Sequence, residues 1–267
     1  MPQPPTPRTL SSLIAAFTSF LTVSIHTILH QRSLYPQSSF LTARAYNYPV
    51  RQSRHPAVCA WITDAVAAIE AELLRNSVAR VALVIYSAGI KPLERYIWDV
   101  SRFPVVARPQ DRETMFASSS ATAARDGSGG GDAKKAAADQ GEENVDLEEQ
   151  FRAALAKLTV CSDVLAPLPP GCTFTVAVEM KDEVDVDPPV GHPQPWIPVQ
   201  PDLQAVRRSR IGEDENELGR ELGGAKTTPV RSVRAGEMIF EMWIEEGKAK
   251  VDMMESSGSN ASSVDYR

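Results

Sequence analysis

The sequence predicts an α+β fold with antiparallel strand pairing, and three observations carry that prediction. Residues 169–178, PPGCTFTVAV, feed a rigid turn into a strand with clean two-residue alternation. Cys172, Phe174, Val176 and Val178 point one way, and Thr173, Thr175 and Ala177 the other. Two further strand-like runs, residues 81–86 and 93–100, are joined by Ser87-Ala88-Gly89-Ile90-Lys91-Pro92, whose Gly and Pro suit a hairpin. Three separate stretches repeat large apolar residues at helical intervals.

The first of these helices spans residues 10–29. Leu10, Leu13, Ile14, Phe17, Leu21 and Ile28 fall mostly three and four residues apart, with Pro7 near the first turn. The stretch holds no charge and is long enough for a membrane span, but eight of its twenty residues are Ser, Thr or His, so it reads as an amphipathic core helix. A mitochondrial presequence would want several arginines where only Arg8 stands. The second helix begins with Pro56 in its first turn, carries Val58, Ile62, Ala65, Val66, Ile69 and Leu73 on one stripe, and stops at Asn76. A third fits Leu147, Phe151, Leu155, Leu158 and Cys161.

Between the second hairpin strand and the third helix, residues 107–145 turn to Ser, Ala, Gly and acidic residues. They read as a disordered insertion, because so few large apolar side chains cannot offset the entropy of ordering. Residues 207–224 and the tail 248–267 read likewise as flexible. After the strand ending near Val178, residues 182–236 are rich in Pro and charge, and a strand pattern returns only at Met238. There Met238, Phe240, Met242 and Ile244 alternate to one face, leaving Ile239, Glu241, Trp243 and Glu245 on the other. A long, sparsely apolar segment between two strands is where function is expected.

Composition bounds the rest. The 267 residues are 43% hydrophobic with mean hydropathy −0.22, ordinary for a soluble globular chain able to bury a sizeable core. A net charge of −6 disfavours non-specific binding to phosphate backbones or anionic membranes. The odd set Cys59, Cys161 and Cys172 fits a reducing compartment better than a disulfide framework.

Several motifs imitate chemical sites and fall short. Gly219, Gly224, Lys226 and Thr227 approach a phosphate-binding loop, yet Ala225 stands where the lysine belongs and the preceding residues are Glu-rich, so a flexible loop is expected. Asp182, Asp185 and Asp187 suggest a calcium loop that Pro188-Pro189 interrupts. His26 and His30 share a helical face, and a zinc enzyme using them is the one catalytic alternative, but no third ligand is evident. No nucleophile elbow or dinucleotide fingerprint is present, so neither catalysis nor a cofactor is expected. The sequon Asn260-Ala261-Ser262 would matter only in a secreted chain.

Leu34-Tyr35-Pro36, Tyr46-Asn47-Tyr48-Pro49-Val50, His55-Pro56, Pro92-Leu93-Glu94-Arg95-Tyr96 and above all residues 169–178 follow one another in a fixed order. The series continues through Pro195-Trp196-Ile197, Pro229-Val230-Arg231 and Met242-Trp243-Ile244-Glu245-Glu246. Together they resemble the HORMA-domain family, and within it the accessory subunits of DNA polymerase zeta. The resemblance implies three helices packed on a mostly antiparallel sheet, with a C-terminal safety-belt segment that wraps a partner's extended peptide. It divides residues 1–247 into a core, about 8–182, and a belt, about 183–247. The strand at 169–178 then marks where the fixed core ends, its own side chains not expected to meet the partner.

The implied role is that of a non-catalytic adaptor. It would hold a Pro-containing peptide of the polymerase zeta catalytic subunit and bridge it to a second translesion polymerase, the deoxycytidyl transferase, in the nucleus. A AAA+ ATPase would remodel the belt. The peptide-binding positions carried over are Trp61, Trp196, Tyr35 and Tyr48; Trp61 could instead only seal the rim of the core, and Trp196 only dock the belt. The second-polymerase positions are Thr227, Glu241 and Trp243, where the vertebrate pattern has Leu, Gln and Tyr, with Tyr also in place of Trp61. Arg152 matches a residue used when two HORMA domains associate. The spindle-checkpoint branch, using the same belt on other peptides, is the competing expectation.

Overall fold

The computed structural model describes residues 8–106, 108–116, 147–181 and 224–250. Its first element is α1, Leu10–Gln31. Thr9 and Ser12 cap it reciprocally: Thr9 Oγ1 accepts from the Ser12 N–H at 3.2 Å, and the Thr9 N–H reaches Ser12 Oγ at 3.1 Å. The hydroxyls that break its apolar run bond back to the preceding turn, Thr22 to Thr18 O, Ser24 to Phe20 O and Thr27 to Val23 O, all within 2.9 Å. With those groups satisfied, Leu13, Phe17, Phe20, Leu21, Ile25 and Ile28 are fully buried among the other elements, as a core helix requires.

A hairpin follows, β1 Phe40–Ala45 and β2 Tyr48–Ser53, closed by Tyr46 and Asn47 at φ 51° and 54°. Two consecutive left-handed residues make the type I′ turn whose twist matches the strands. The sequence reading contained no such hairpin. Pro49 argues against a strand there, and is accommodated because the ribbon has two strands only. α2, Pro56–Leu74, starts on Pro56 and gives way to Asn76 at φ 60°, the left-handed residue after the helix.

β3 Val78–Tyr86 and β4 Pro92–Asp99 form the expected antiparallel hairpin. Its tip holds an exposed Ile90 at φ 62°, a conformation that costs a β-branched residue about 1–2 kcal/mol. Ile90→Gly is therefore expected to raise the melting temperature by about 2–4 °C; an unchanged or lower value would mean that the tip holds no such strain. Residues 108–116 fold as a short turn rather than as part of a disordered insertion, because Phe116 packs on the core and its N–H donates to Arg8 O at 2.8 Å. The remainder of that insertion lies outside the described residues.

α3, Leu147–Val164, leads to β5 Thr173–Met180, then β6 Gly224–Ala235 and β7 Met238–Gly247. β6 corrects the expectation that strand structure returns only at Met238: the extra residue at Val230 breaks the two-residue rhythm, and the buried Val230 and Val233 lie three apart. Gly224, Lys226 and Thr227, read as a flexible loop, belong to this strand. The five-stranded sheet runs β5-β3-β4-β7-β6, every pairing antiparallel. Helices cover one face, where Phe20 stacks on Phe151 of α3 at 4.5 Å and Phe17 meets Phe240 of β7 edge-on at 5.3 Å.

Candidate functional site

The sheet order leaves two edge strands among the described residues, β5 and β6, and β6 is tied to α3 by the Arg231–Gln150 hydrogen bond. β6 and β7 dock as a pair on β4, so β5, at the opposite end, pairs with β3 alone among the described residues. Its outer edge presents backbone N–H and C=O groups to an added strand. The strand first read as the last fixed piece of core is thus itself an edge strand.

Beside that edge lies an aromatic cluster. Phe174, pointing to the helical side of β5, meets Trp61 of α2 edge-on at 5.1 Å and Tyr35, from the segment after α1, at 6.4 Å. All three are half-buried. Burial pushes the Tyr35 hydroxyl above its ordinary pKa, so the ring is a neutral donor. Leu34, Val58, Cys172 and Val178, near these three in sequence, are likewise partly buried and packed against the core. The fold thus brings Trp61 and Tyr35 together, and adds Phe174, which sequence reasoning counted only as core. The available signal was its place two residues into an edge-strand candidate. Tyr48 lies elsewhere, next to the β1–β2 turn whose Tyr46 contacts Phe151 at 5.0 Å. Trp196 is outside the described residues.

The second set lies on the sheet face away from the helices. Trp243 stands between Ile97 of β4 and Pro229 of β6, with Glu241 and Glu245 two residues either side and Thr227 across from Glu245. Thr227, Glu241 and Trp243 therefore share one surface, as the alternation of β7 predicts. The indole N–H donates to Glu245 Oε1 at 2.8 Å, and the Arg80 guanidinium sits 5.9 Å from the ring centroid. Arg95 pairs with Glu245 at 2.6 Å, Arg102 with Glu241 at 3.4 Å, and Arg80 with both Asp99 and Glu179. Partial burial opposes ionisation of Asp99, but hydrogen bonds from Ser101 and from Arg80, with that residue's charge, hold its carboxyl below the usual range. The result is an ordered, half-exposed indole inside a lattice of ion pairs.

A buried charge cluster ties the C-terminal hairpin to the helices. Glu94, on the same side of β4 as Tyr96 and Trp98, has a fully buried side chain. Arg32 at the end of α1 grips it with two bonds of 2.9 and 2.6 Å, and donates as well to the Ser162 and Ala166 carbonyls. Tyr96 donates to it at 3.1 Å, its phenol kept protonated by burial and by that carboxylate. Lys250 completes the group, 2.5 Å from Glu94 and 2.8 Å from Glu246. Residues 248–250 continue as a helical turn past the limit where a disordered tail was expected, because Lys250 is buried in this cluster. At the same end, Gly247 comes so close to Pro92 that a Cβ would stand 2.7 Å from its carbonyl oxygen.

Other candidates contribute less. Arg152 lies on the solvated edge of α3, paired with Glu149 at 3.2 Å, while Phe151 beside it is core. His26 is buried, and its Nδ1 accepts from the Ser53 N–H at 3.4 Å, a structural task. Among the described residues no three of His, Cys, Asp or Glu are grouped to hold a metal ion.

This geometry accords with what the chain is similar to. The family model for the HORMA domain matches residues 14–227. The chain belongs to the HORMA-domain family. Over 233 residues, 87% of this HORMA chain and 92% of the relative, it is 31% identical to the "DNA polymerase zeta processivity subunit" of Schizosaccharomyces pombe. It is 27% identical over 234 residues, 86% and 89% of the two chains, to "Mitotic spindle assembly checkpoint protein MAD2B" of Danio rerio. Among solved structures, a chain of the "Mitotic Checkpoint Complex" aligns with TM-score 0.56 and 18% identity, over 87% of this chain and 97% of that one. C. elegans HTP-2 "bound to HIM-3 closure motif" aligns with TM-score 0.52 and 11% identity, over 91% and 94%. At those identities the structural matches establish the HORMA fold alone, with its helices on an antiparallel sheet.

Proposed function

We propose that this HORMA protein is the non-catalytic accessory subunit of DNA polymerase zeta, acting in the nucleus in DNA damage tolerance. The observation that carries the proposal is the free β5 edge rimmed by Trp61, Tyr35 and Phe174. An extended, Pro-containing segment of the catalytic subunit would add to β5 through main-chain hydrogen bonds and set its side chains against the aromatic rim. The belt would cross over it, which makes release depend on belt opening and dissociation slow. A AAA+ ATPase would drive that opening, and self-association would use the α3 edge around Arg152.

The test is binding of the purified chain to Pro-containing peptides from the polymerase zeta catalytic subunit and from spindle-checkpoint partners. Preference for the former is expected. Preference for the latter would move the chain to the checkpoint reading. The outer face of β6 and β7 would receive the C-terminal domain of the deoxycytidyl transferase. Trp243→Ala is expected to weaken that interaction by about tenfold while sparing the peptide, since the two surfaces lie on opposite faces of the sheet. Loss of both together would instead indicate a displaced hairpin.

A further inference from the structure

The acidic character of the chain as a whole conceals a segregated charge distribution. No Asp or Glu precedes Asp64, and the first 63 residues carry five arginines, while the whole chain has a net charge of −6. Three of those arginines, Arg44, Arg51 and Arg54, are exposed on or next to the β1–β2 ribbon. Arg44 lies across from Pro49 and Arg51 across from Thr42, so the two are diagonal neighbours on one side of the ladder, roughly 7–8 Å apart at the backbone. Arg54 follows directly after β2, where its N–H is held by Ser39 O at 2.8 Å.

The hydrogen bonds these guanidinium groups make are to neutral partners. Arg51 donates to Thr42 Oγ1 at 2.6 Å, and Arg44 donates to Asn47 Oδ1. None of the three forms an ion pair among the described residues, whereas Arg80 of β3, Arg95 of β4 and Arg102 just after β4 each do. α3 brings Glu148 towards Tyr46 at the turn of the ribbon, and α1 brings His30, a further nitrogen base, towards Arg51. Arg44 and Arg51 thus share one side of the ribbon, with the exposed Arg54 at its base, and none of the three has an ion pair among the described residues.

We propose that the β1–β2 ribbon is a sequence-independent contact for duplex DNA, with Arg44, Arg51 and Arg54 on its backbone phosphates. Charge complementarity selects that occupant. An acidic protein partner would need an apolar centre to bury, and Leu41 is the only large apolar side chain that the described ribbon exposes. A phosphate backbone needs cations alone, and a two-stranded ribbon has the width the major groove admits. The acidity of the rest of the chain does not cancel the patch, since charges beyond about 8 Å are screened at physiological salt. This surface is independent of the peptide edge and extends beyond the adaptor reading.

The experiment is fluorescence anisotropy of a labelled 20-base-pair duplex of arbitrary sequence with the full chain, from 25 to 150 mM salt. Three phosphate contacts predict a slope of log affinity on log salt of about −3, and so a loss of about a hundredfold across that range. Each of R44A, R51A and R54A should reduce the slope by about one and the triple variant should abolish binding, while R44K/R51K/R54K retains it. Unchanged melting curves and unchanged peptide capture will certify the fold of these surface variants. A wild-type slope shallower than −1, or a triple-alanine variant that binds as wild type, would overturn the proposal. So would tighter binding of an acidic peptide than of the duplex, which would assign the ribbon to a protein partner.

Discussion

Glu94→Ala is expected to remove about 3–5 kcal/mol of folding stability, the cost of leaving buried charge unpaired. The deletion would strand Arg32 and Lys250 together, two cations brought within 2.6 Å and 2.5 Å of one carboxylate, and would leave Tyr96 without its acceptor. Because that carboxylate joins α1, β4 and the turn after β7, the loss should appear as a single lowered denaturation midpoint rather than as local fraying. Arg32→Met combined with Glu94→Met should recover part of the loss, since an apolar pair of similar volume leaves less charge without a partner. A cost under about 1 kcal/mol for Glu94→Ala would show that water, not this cluster, solvates the charges. The cluster also sets the response to acid. Burial alone would raise the Glu246 pKa, but the hydrogen bond and charge of Lys250, with Lys226 beyond, hold its carboxyl below the usual 4.5. A carboxylate depressed in the folded state stabilises fully above its unfolded value and loses that contribution as pH falls through the folded one. Unfolding free energy should therefore decline below about pH 4.5, with Glu246→Gln flattening the decline.

Trp61→Ala is expected to weaken capture of the catalytic-subunit peptide by about thirtyfold or more, some 2 kcal/mol, the scale of an aromatic hot spot. The indole is half-buried against Phe174, so it presents a fixed surface next to the free edge and loses little side-chain freedom on binding. Phe174→Ala should act in the same direction twice, by removing its own ring and by releasing both Trp61 and Tyr35. Trp61→Phe should restore most of the affinity. If Trp61→Ala lowers stability while peptide affinity stays at the wild-type level, the residue only seals the rim of the core. Isothermal titration alongside thermal melting separates the two outcomes.

The elements that sequence reasoning located well are those whose pattern is set by one buried face. The α2 stripe, the stop at Asn76 and the alternation of β7 all follow from local spacing and are found as expected. β6 was missed because a bulge at Val230 shifts the alternation, and β1–β2 because Pro49 and a short length weaken the strand signal. Of the site, the shared surface of Thr227, Glu241 and Trp243 was legible from strand parity once β7 was drawn. The cluster of Phe174 with Trp61 and Tyr35 was not, because it needs the sheet order that leaves β5 at the edge. Nor was the pairing of Lys250 with Glu94, since nothing local connects two residues so far apart in sequence. A hint did exist: Glu94 has the inward parity of Tyr96 and Trp98, and an inward carboxylate calls for a cation.

The position of β7 inside the sheet has a consequence for synthesis of the protein. Asp99 pairs with Glu241 although residues 100–240 all lie between them. Bringing ends that far apart together costs on the order of 4 kcal/mol of chain entropy before the pairing contributes anything. A nascent chain will thus carry β4 as a bare, hydrophobic edge until β7 has been synthesised, and folding should be slow for a domain of this size. During that interval β4 can accept the C-terminal hairpin of another copy as readily as its own, so domain-swapped dimers should accumulate when refolding is carried out at high concentration.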